Sequence, residues 1–195
     1  VAGRVLVLVL LGEEDGADGG GKGAGDCGTG GAAGACTKHS SGASAGDPVD
    51  IASGAVFTQP HTDLELDGII HVAFKRTYLS SAKDADIGLG FGWCHTFDWL
   101  LRVRRRTVDV RHMAKTVSFE FKHHPKVAYG NGGWMLRKKG PGYILDTADG
   151  FFHHFTPTPA DPRLHRLSLI RYRDGNEMGL SYDDQGQLST ITEVA

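Results

Sequence analysis

The sequence predicts an all-β protein, an antiparallel meander of hairpins behind a disordered, glycine-rich N-terminal tail. Three observations carry this reading. From Asp47 onward, runs rich in Phe, Tyr, Val, Ile and Thr are punctuated by Gly, Asn-Gly and Asp-Gly turn signals. Inside those runs apolar and polar residues alternate with the period of two that places them on opposite faces of a strand. No window carries a helical apolar stripe bounded by caps.

The elements follow in order. Ile70, Val72, Phe74 and Tyr78 alternate with His71, Ala73, Lys75 and Thr77, which predicts one half-buried strand. Trp93–Val103 reads as a second, unbroken strand. Val108–His112 and Thr116–Lys122 form a hairpin joined through residues 112–115. Gly130–Gly133 turns the chain into Trp134–Arg137, Gly140-Pro-Gly142 into Tyr143–Leu145, and Asp149-Gly150 into Phe151–Phe155. Arg163–Tyr172 is a long strand before a last hairpin. In that hairpin Asp174-Gly175 opens the turn, Met178, Leu180 and Tyr182 share one face, and Asp184-Gln185-Gly186 turns the chain into Leu188–Thr192. A ribbon ending at Ala195 is expected to leave an open edge, which repeat arrays close by stacking the next unit. The expectation is therefore of a longer protein or a fragment of one.

Charge and composition narrow the function classes. Residues 1–46 carry Arg4, Lys22 and Lys38 against Glu13, Glu14, Asp15, Asp18 and Asp26, leaving 18 basic and 18 acidic side chains in the remainder. Such balance gives no electrostatic reason for a nucleic-acid partner. The one basic cluster, Arg102–Arg106, reads as a strand whose charges alternate between faces, solvated or ion-paired. Residues 1–11 are an apolar run too short to span a bilayer as a helix. It is read either as the apolar centre of an export signal or as a β-branched run belonging to a longer or misassigned frame. Residues 12–45 are a linker: eleven of the 23 positions from Gly12 to Gly34 are glycine, too little apolar surface to offset the entropy of ordering.

The reactive side chains point to no catalyst. Cys27, Cys36 and Cys94 are an odd set without a close pair; Cys27 and Cys36 can join if the tail is exported, and Cys94 reads as a small packing residue. Cys27, Cys36 and His39 lack zinc spacing. His123-His124 and His153-His154 are adjacent pairs, each able to offer one imidazole to a common site, and no His-Glu-x-x-His string is present. Asp47 and Asp50 flank Pro48 as a turn opening. The glycines of Gly88–Gly92 read as a tight backbone approach with Trp93 behind them. Trp93, Trp99 and Trp134 with Tyr78, Tyr129 and Tyr143 read as core, with a sugar-stacking platform as the alternative. No cofactor and no metal is expected.

Four strings in fixed order carry a family resemblance. Gly46-Asp-Pro-Val-Asp-Ile-Ala-Ser-Gly54 is similar to the motif that opens the N-terminal module of Rhs shell proteins. Arg76-Thr-Tyr78 and Gly88-Leu-Gly90-Phe-Gly92-Trp93 resemble its next two stretches. Tyr182-Asp183-x-x-Gly186-x-Leu188 resembles the YD repeat. The resemblance covers about three quarters of the chain. It places an opening module at 46–125 and, at 126–195, hairpins leading into a first repeat at about 172–192. It implies a non-enzymatic piece of a hollow β-shell that encloses a C-terminal polymorphic toxin. Its partners are then the downstream repeats, the toxin cargo and secretion machinery, with a secreted or cell-surface location and no membrane span. Tyr182 is expected to pack on neighbouring hairpins, Gly186 to allow the turn and Leu188 to face the same layer. Gln187 stands where the family has arginine, which removes a charge partner. Two other classes stay open: a secreted module binding cell-surface carbohydrate, and a zinc-dependent hydrolase.

Overall fold

The computed structural model describes residues 4–7, 49–50, 54–68, 70–84, 86–113, 115–122 and 126–194, with the backbone alone for 4–7 and 194. The glycine-rich linker with Cys27, Cys36 and His39, the opening residues Gly46, Asp47 and Pro48, and His123 and His124 lie outside them.

Every strand pairing is antiparallel, and the described residues contain no α-helix, only 3-10 turns at Ser80–Ala82 and Asn131–Gly133. The strands are β1 (Arg4–Val7), β2 (His61–Leu66), β3 (Val72–Tyr78), β4 (Trp93–His95), β5 (Trp99–Val103), β6 (Thr107–His112) and β7 (Lys115–Glu120). They continue as β8 (Val127–Tyr129), β9 (Met135–Lys139), β10 (Gly142–Asp146), β11 (Phe151–Pro157), β12 (Leu164–Tyr172), β13 (Glu177–Tyr182) and β14 (Leu188–Val194). The all-β meander predicted from alternation and turn signals is the fold observed.

The long strand β12 organises the molecule. One of its edges pairs with β11 along its length. Its other edge is shared, Leu164–Arg166 bonding to β5 and Leu169–Arg171 to β13. From that fork β5, β6 and β7 run one way round and β11, β10, β9 and β8 the other. β7 and β8 meet without a shared ladder, and a Cβ on Gly130, just past β8, would lie 2.7 Å from the Phe119 ring. Strands β5 to β12 thus round into a nearly closed barrel. Leu101, Phe119, Leu136, Leu145 and Leu167 fill its middle with no exposed surface, each stabilising the fold by about 1.5–3 kcal/mol through burial.

The other half of β12 carries β13, β14 and β1. Arg4–Val7 pairs in register with Thr190–Glu193, so β14 is not the open edge expected at Ala195. Residues 4–7 of the N-terminal apolar run, read from the sequence as an export-signal centre or a piece of a longer or misassigned frame, supply that covering strand. A separate sheet, β2-β3-β4, is tied to β14 where the Ile70 amide donates to Glu193 Oε1 at 2.6 Å.

Three local expectations need correction. Trp93–Val103 is two strands in two sheets: Phe97 N donates to His95 Nδ1 (3.1 Å), and Asp98 N donates to the His95 carbonyl (2.9 Å), turning the chain from the small sheet into the barrel. Thr77, expected on the outer face, is 4% exposed, because the segment before β2 covers that face and its hydroxyl donates to Thr58 O. Arg104–Arg106 is not strand but the β5–β6 turn, closed by Arg104 N donating to Thr107 O.

Candidate functional site

The sequence-predicted motif residues gather into two clusters that touch. In the first, a loop opens at Asp50, whose N–H donates to Ala55 O and whose carbonyl accepts from Gly54, with Gly54 at φ +70°. The chain then reaches β3 through Phe57, bridged to Leu79. Tyr78 pairs with Trp93 across β3 and β4, their rings edge to face at 5.7 Å, and the Arg76 guanidinium sits 5.3 Å from the Trp93 ring centre. Gly92 makes this possible: at φ +81°, a Cβ there would approach the Tyr78 ring to 2.6 Å. Asp86 Oδ1 accepts from the Gly88 and Gly90 amides and holds the turn.

The second cluster is the last hairpin. The Asp183 N–H donates to Gln187 O, and Asp183 Oδ1 accepts from Gln187 N at 2.7 Å, closing the turn. Tyr182 donates its hydroxyl to the Leu167 carbonyl of β12 at 2.7 Å, and burial pushes its phenol well above the usual range. Leu188 is 3% exposed in the core. Arg166 of β12, which the sequence did not single out, lies 5.2 Å over the Tyr182 ring and against Gly186. It sits beside the repeat unit from a neighbouring strand, while Gln187 packs under the glycine turn, where a Cβ on Gly88 would come within 2.7 Å of it. The two clusters therefore meet at Gly88 and Gln187. Gly46, Asp47 and Pro48 are not among the residues placed.

A cleft of about 370 Å3 lies between them, with Asp98 and Arg111 on its wall. Arg111 donates to Asp98 Oδ1 at 3.1 Å; burial raises the Asp98 carboxyl, and the Arg111 charge works against that rise. Burial pushes the neighbouring Cys94 thiol up to about 11, helped by the Asp98 charge, so it is protonated at neutral pH and a poor nucleophile. His95 is lowered to about 4, by burial first and the His112 charge second. The wall thus presents a neutral imidazole at His95 and a carboxylate at Asp98 paired with Arg111, with the protonated Cys94 thiol next to His95 in the chain.

The barrel has two mouths. At one, Trp99 stacks on His112 (3.8 Å between ring centres, 8° between planes) and lies 4.4 Å from His153 and 5.8 Å from Trp134. His153 turns inward while His154 is half-exposed, as strand alternation requires, and burial lowers His153 to about 4. At the other, Tyr143 and Phe121 lie under the β5–β6 turn with Arg104–Arg106. Trp99 and Tyr143 are buried and Tyr78 packs on Trp93, so the six aromatic residues form no exposed row; Tyr129 alone of them is strongly exposed, at 75%. Among the described residues no group of three or more His, Cys, Asp or Glu side chains is placed to hold a metal ion. No helix among them is long and apolar enough to cross a membrane.

Known proteins bear on this geometry in two ways. Residues 46–119 match the family model described as a domain of unknown function, DUF6531. The chain is also 30% identical over 155 residues to the probable deoxyribonuclease RhsA of Dickeya dadantii (strain 3937), in an alignment that takes in 74% of it. The chain is related in sequence to an Rhs protein. This Rhs-related chain spans 10% of the length of that relative. The domain match runs from the opening loop through β7 and includes the Arg76–Tyr78–Gly92–Trp93 cluster; the Tyr182–Leu188 string lies beyond it.

Proposed function

We propose that this chain is a non-catalytic, structural segment of an Rhs-type protein, part of a β-shell that encloses a C-terminal toxin delivered in competition between bacteria, and that it acts outside the producing cell or at its surface. One observation carries the reading. The Tyr182–Leu188 hairpin is not an appendage: its phenol is bonded to β12, its leucine lies in the core, and Arg166 of the barrel rests on its ring. A unit built into the sheet in this way is what a wall made of successive hairpins requires. The relation to an Rhs protein along 74% of the chain supports it. The partners in this reading are the downstream repeats and the cargo of the same polypeptide, and no cofactor takes part.

The test is to read the gene on the 3′ side of the codon for Ala195. An open frame with further Tyr-Asp-x-x-Gly units ahead of a distinct terminal domain is the expected result. A stop codon, or an unrelated domain following at once, would remove the shell from the account.

A further inference from the structure

The second mouth of the barrel has a feature that core packing does not explain. A cavity of about 670 Å3 opens between the β5–β6 turn, the end of β7 and the β9–β10 turn. That volume lies within the range of ligand pockets, roughly 300–1,000 Å3. Its floor is apolar: Val103 and Val108 from β5 and β6, Phe121 beyond β7, and Tyr143 of β10, 6.3 Å from Phe121. Its rim is cationic. Arg104 is neutralised by Asp109 and Lys122 by Glu120. Arg105, Arg106 and Lys138 also line the opening, all exposed, and none of the three has a carboxylate partner among the described residues. Lys138 pairs directly with Tyr143 in the ladder, which puts an ammonium and a phenol ring on the same face at the lip.

We infer that this mouth binds a short acidic peptide segment whose aromatic or aliphatic side chain enters the apolar floor while flanking carboxylates meet Arg105, Arg106 and Lys138. Three cations around an apolar cup match that amphipathic anion. Guanidinium forks take carboxylates two-pronged, and the floor gains by expelling water. A nucleic-acid strand is the poorer match. From residue 47 onward the chain balances 18 basic against 18 acidic side chains, so the rim is a local spot and not a track for a phosphate backbone. The inference is independent of the shell.

The test is fluorescence anisotropy of the full chain with a fluorescein-labelled pentapeptide, phenylalanine at its centre and two acidic residues on each side. Saturable binding is expected, weakened about tenfold or more in the double variant Arg105→Ala/Lys138→Ala, because exposed cations facing a bound carboxylate set both encounter and retention. Both positions are exposed, and an unchanged circular dichroism spectrum verifies the fold of the variant. Replacing the central phenylalanine of the probe by glycine, which leaves the protein untouched, is expected to weaken binding about fivefold or more. Absence of saturable binding, equal affinity in the double variant, indifference to the phenylalanine, or tighter binding of an oligothymidylate of equal charge would each overturn the inference.

Discussion

The indole of Trp99 lies flat on the imidazole of His112, 3.8 Å between centres, and the His112 ring is fixed by Nε2 donating to the Thr96 carbonyl at 3.1 Å. That donation assigns the hydrogen to Nε2. Burial lowers the His112 pKa and favours the neutral ring, with the Thr96 bond opposing the effect and Lys115 adding to it. His153 and His95 are lowered further, to about 4 each, by the same loss of water.

Acid should therefore unfold this protein through its buried histidines. A histidine lowered in the fold binds its proton more readily when unfolded, so its stabilising contribution is complete above the unfolded pKa of about 6.5. It is lost as pH falls from there toward 4. Each of His95 and His153 corresponds to on the order of 3 kcal/mol across that window, and their shared neighbour His112 makes the sum smaller than two separate terms. The urea midpoint is expected to fall steadily between about pH 6.5 and 4.5, and His153→Gln to flatten the slope. A midpoint independent of pH over that range would contradict the burial of neutral imidazoles.

Gly186 and Arg166 should be energetically coupled. At φ +80°, alanine at position 186 costs roughly 1 kcal/mol in backbone strain. Its Cβ would also overlap the Arg166 guanidinium and drive it off the Tyr182 ring, worth another 0.5–1 kcal/mol or so. Arg166→Ala should then cost less in the Gly186→Ala background than in the natural chain. A double-mutant cycle by chemical denaturation measures the difference, and strict additivity would deny the contact.

Glycine at a turn and glycine in a ladder should respond differently. Gly132 has φ +73° and open space around it, so Gly132→Ala is expected to cost about 1 kcal/mol from the backbone alone. Gly142 has no positive φ, but a Cβ there would overlap the Phe155 carbonyl across β10 and β11. That carbonyl is backbone and cannot swing aside. Gly142→Ala is expected to cost roughly 2 kcal/mol or more, and thermal denaturation of the two variants gives the order directly.

What was legible in the sequence was what a single strand or turn determines. The hairpin of β6 and β7, the turns into β9, β10 and β11, and the shared face of Met178, Leu180 and Tyr182 all follow from alternation and turn residues. What was not legible depends on partners far along the chain. The break at Thr96–Asp98 comes from bonds to His95, the burial of Thr77 from a segment some twenty residues earlier, and the covered edge of β14 from residues more than 180 positions away. Arg166 carries no motif of its own; its place over Tyr182 is set by the register of β12 against β13. The closing of the barrel is of the same kind, since β7 and β8 meet through side chains and share no ladder.

Asp98 and Arg111 are unequal partners, and the inequality can be measured. The Asp98 side chain is 9% exposed and that of Arg111 29%. Removing Asp98 leaves a cation that can turn toward water; removing Arg111 leaves a carboxylate in a site whose burial already raises its pKa. Arg111→Ala should therefore destabilise by about 3 kcal/mol at neutral pH and Asp98→Ala by less. A carboxyl raised in the fold binds its proton more readily folded than unfolded, so lowering the pH relieves it. The cost of Arg111→Ala, taken as the difference from the natural chain at each pH, should shrink from pH 7 to pH 5, a comparison in which the shared histidines cancel. A cost that stayed constant or grew on acidification would contradict a buried, ionised Asp98 as its source.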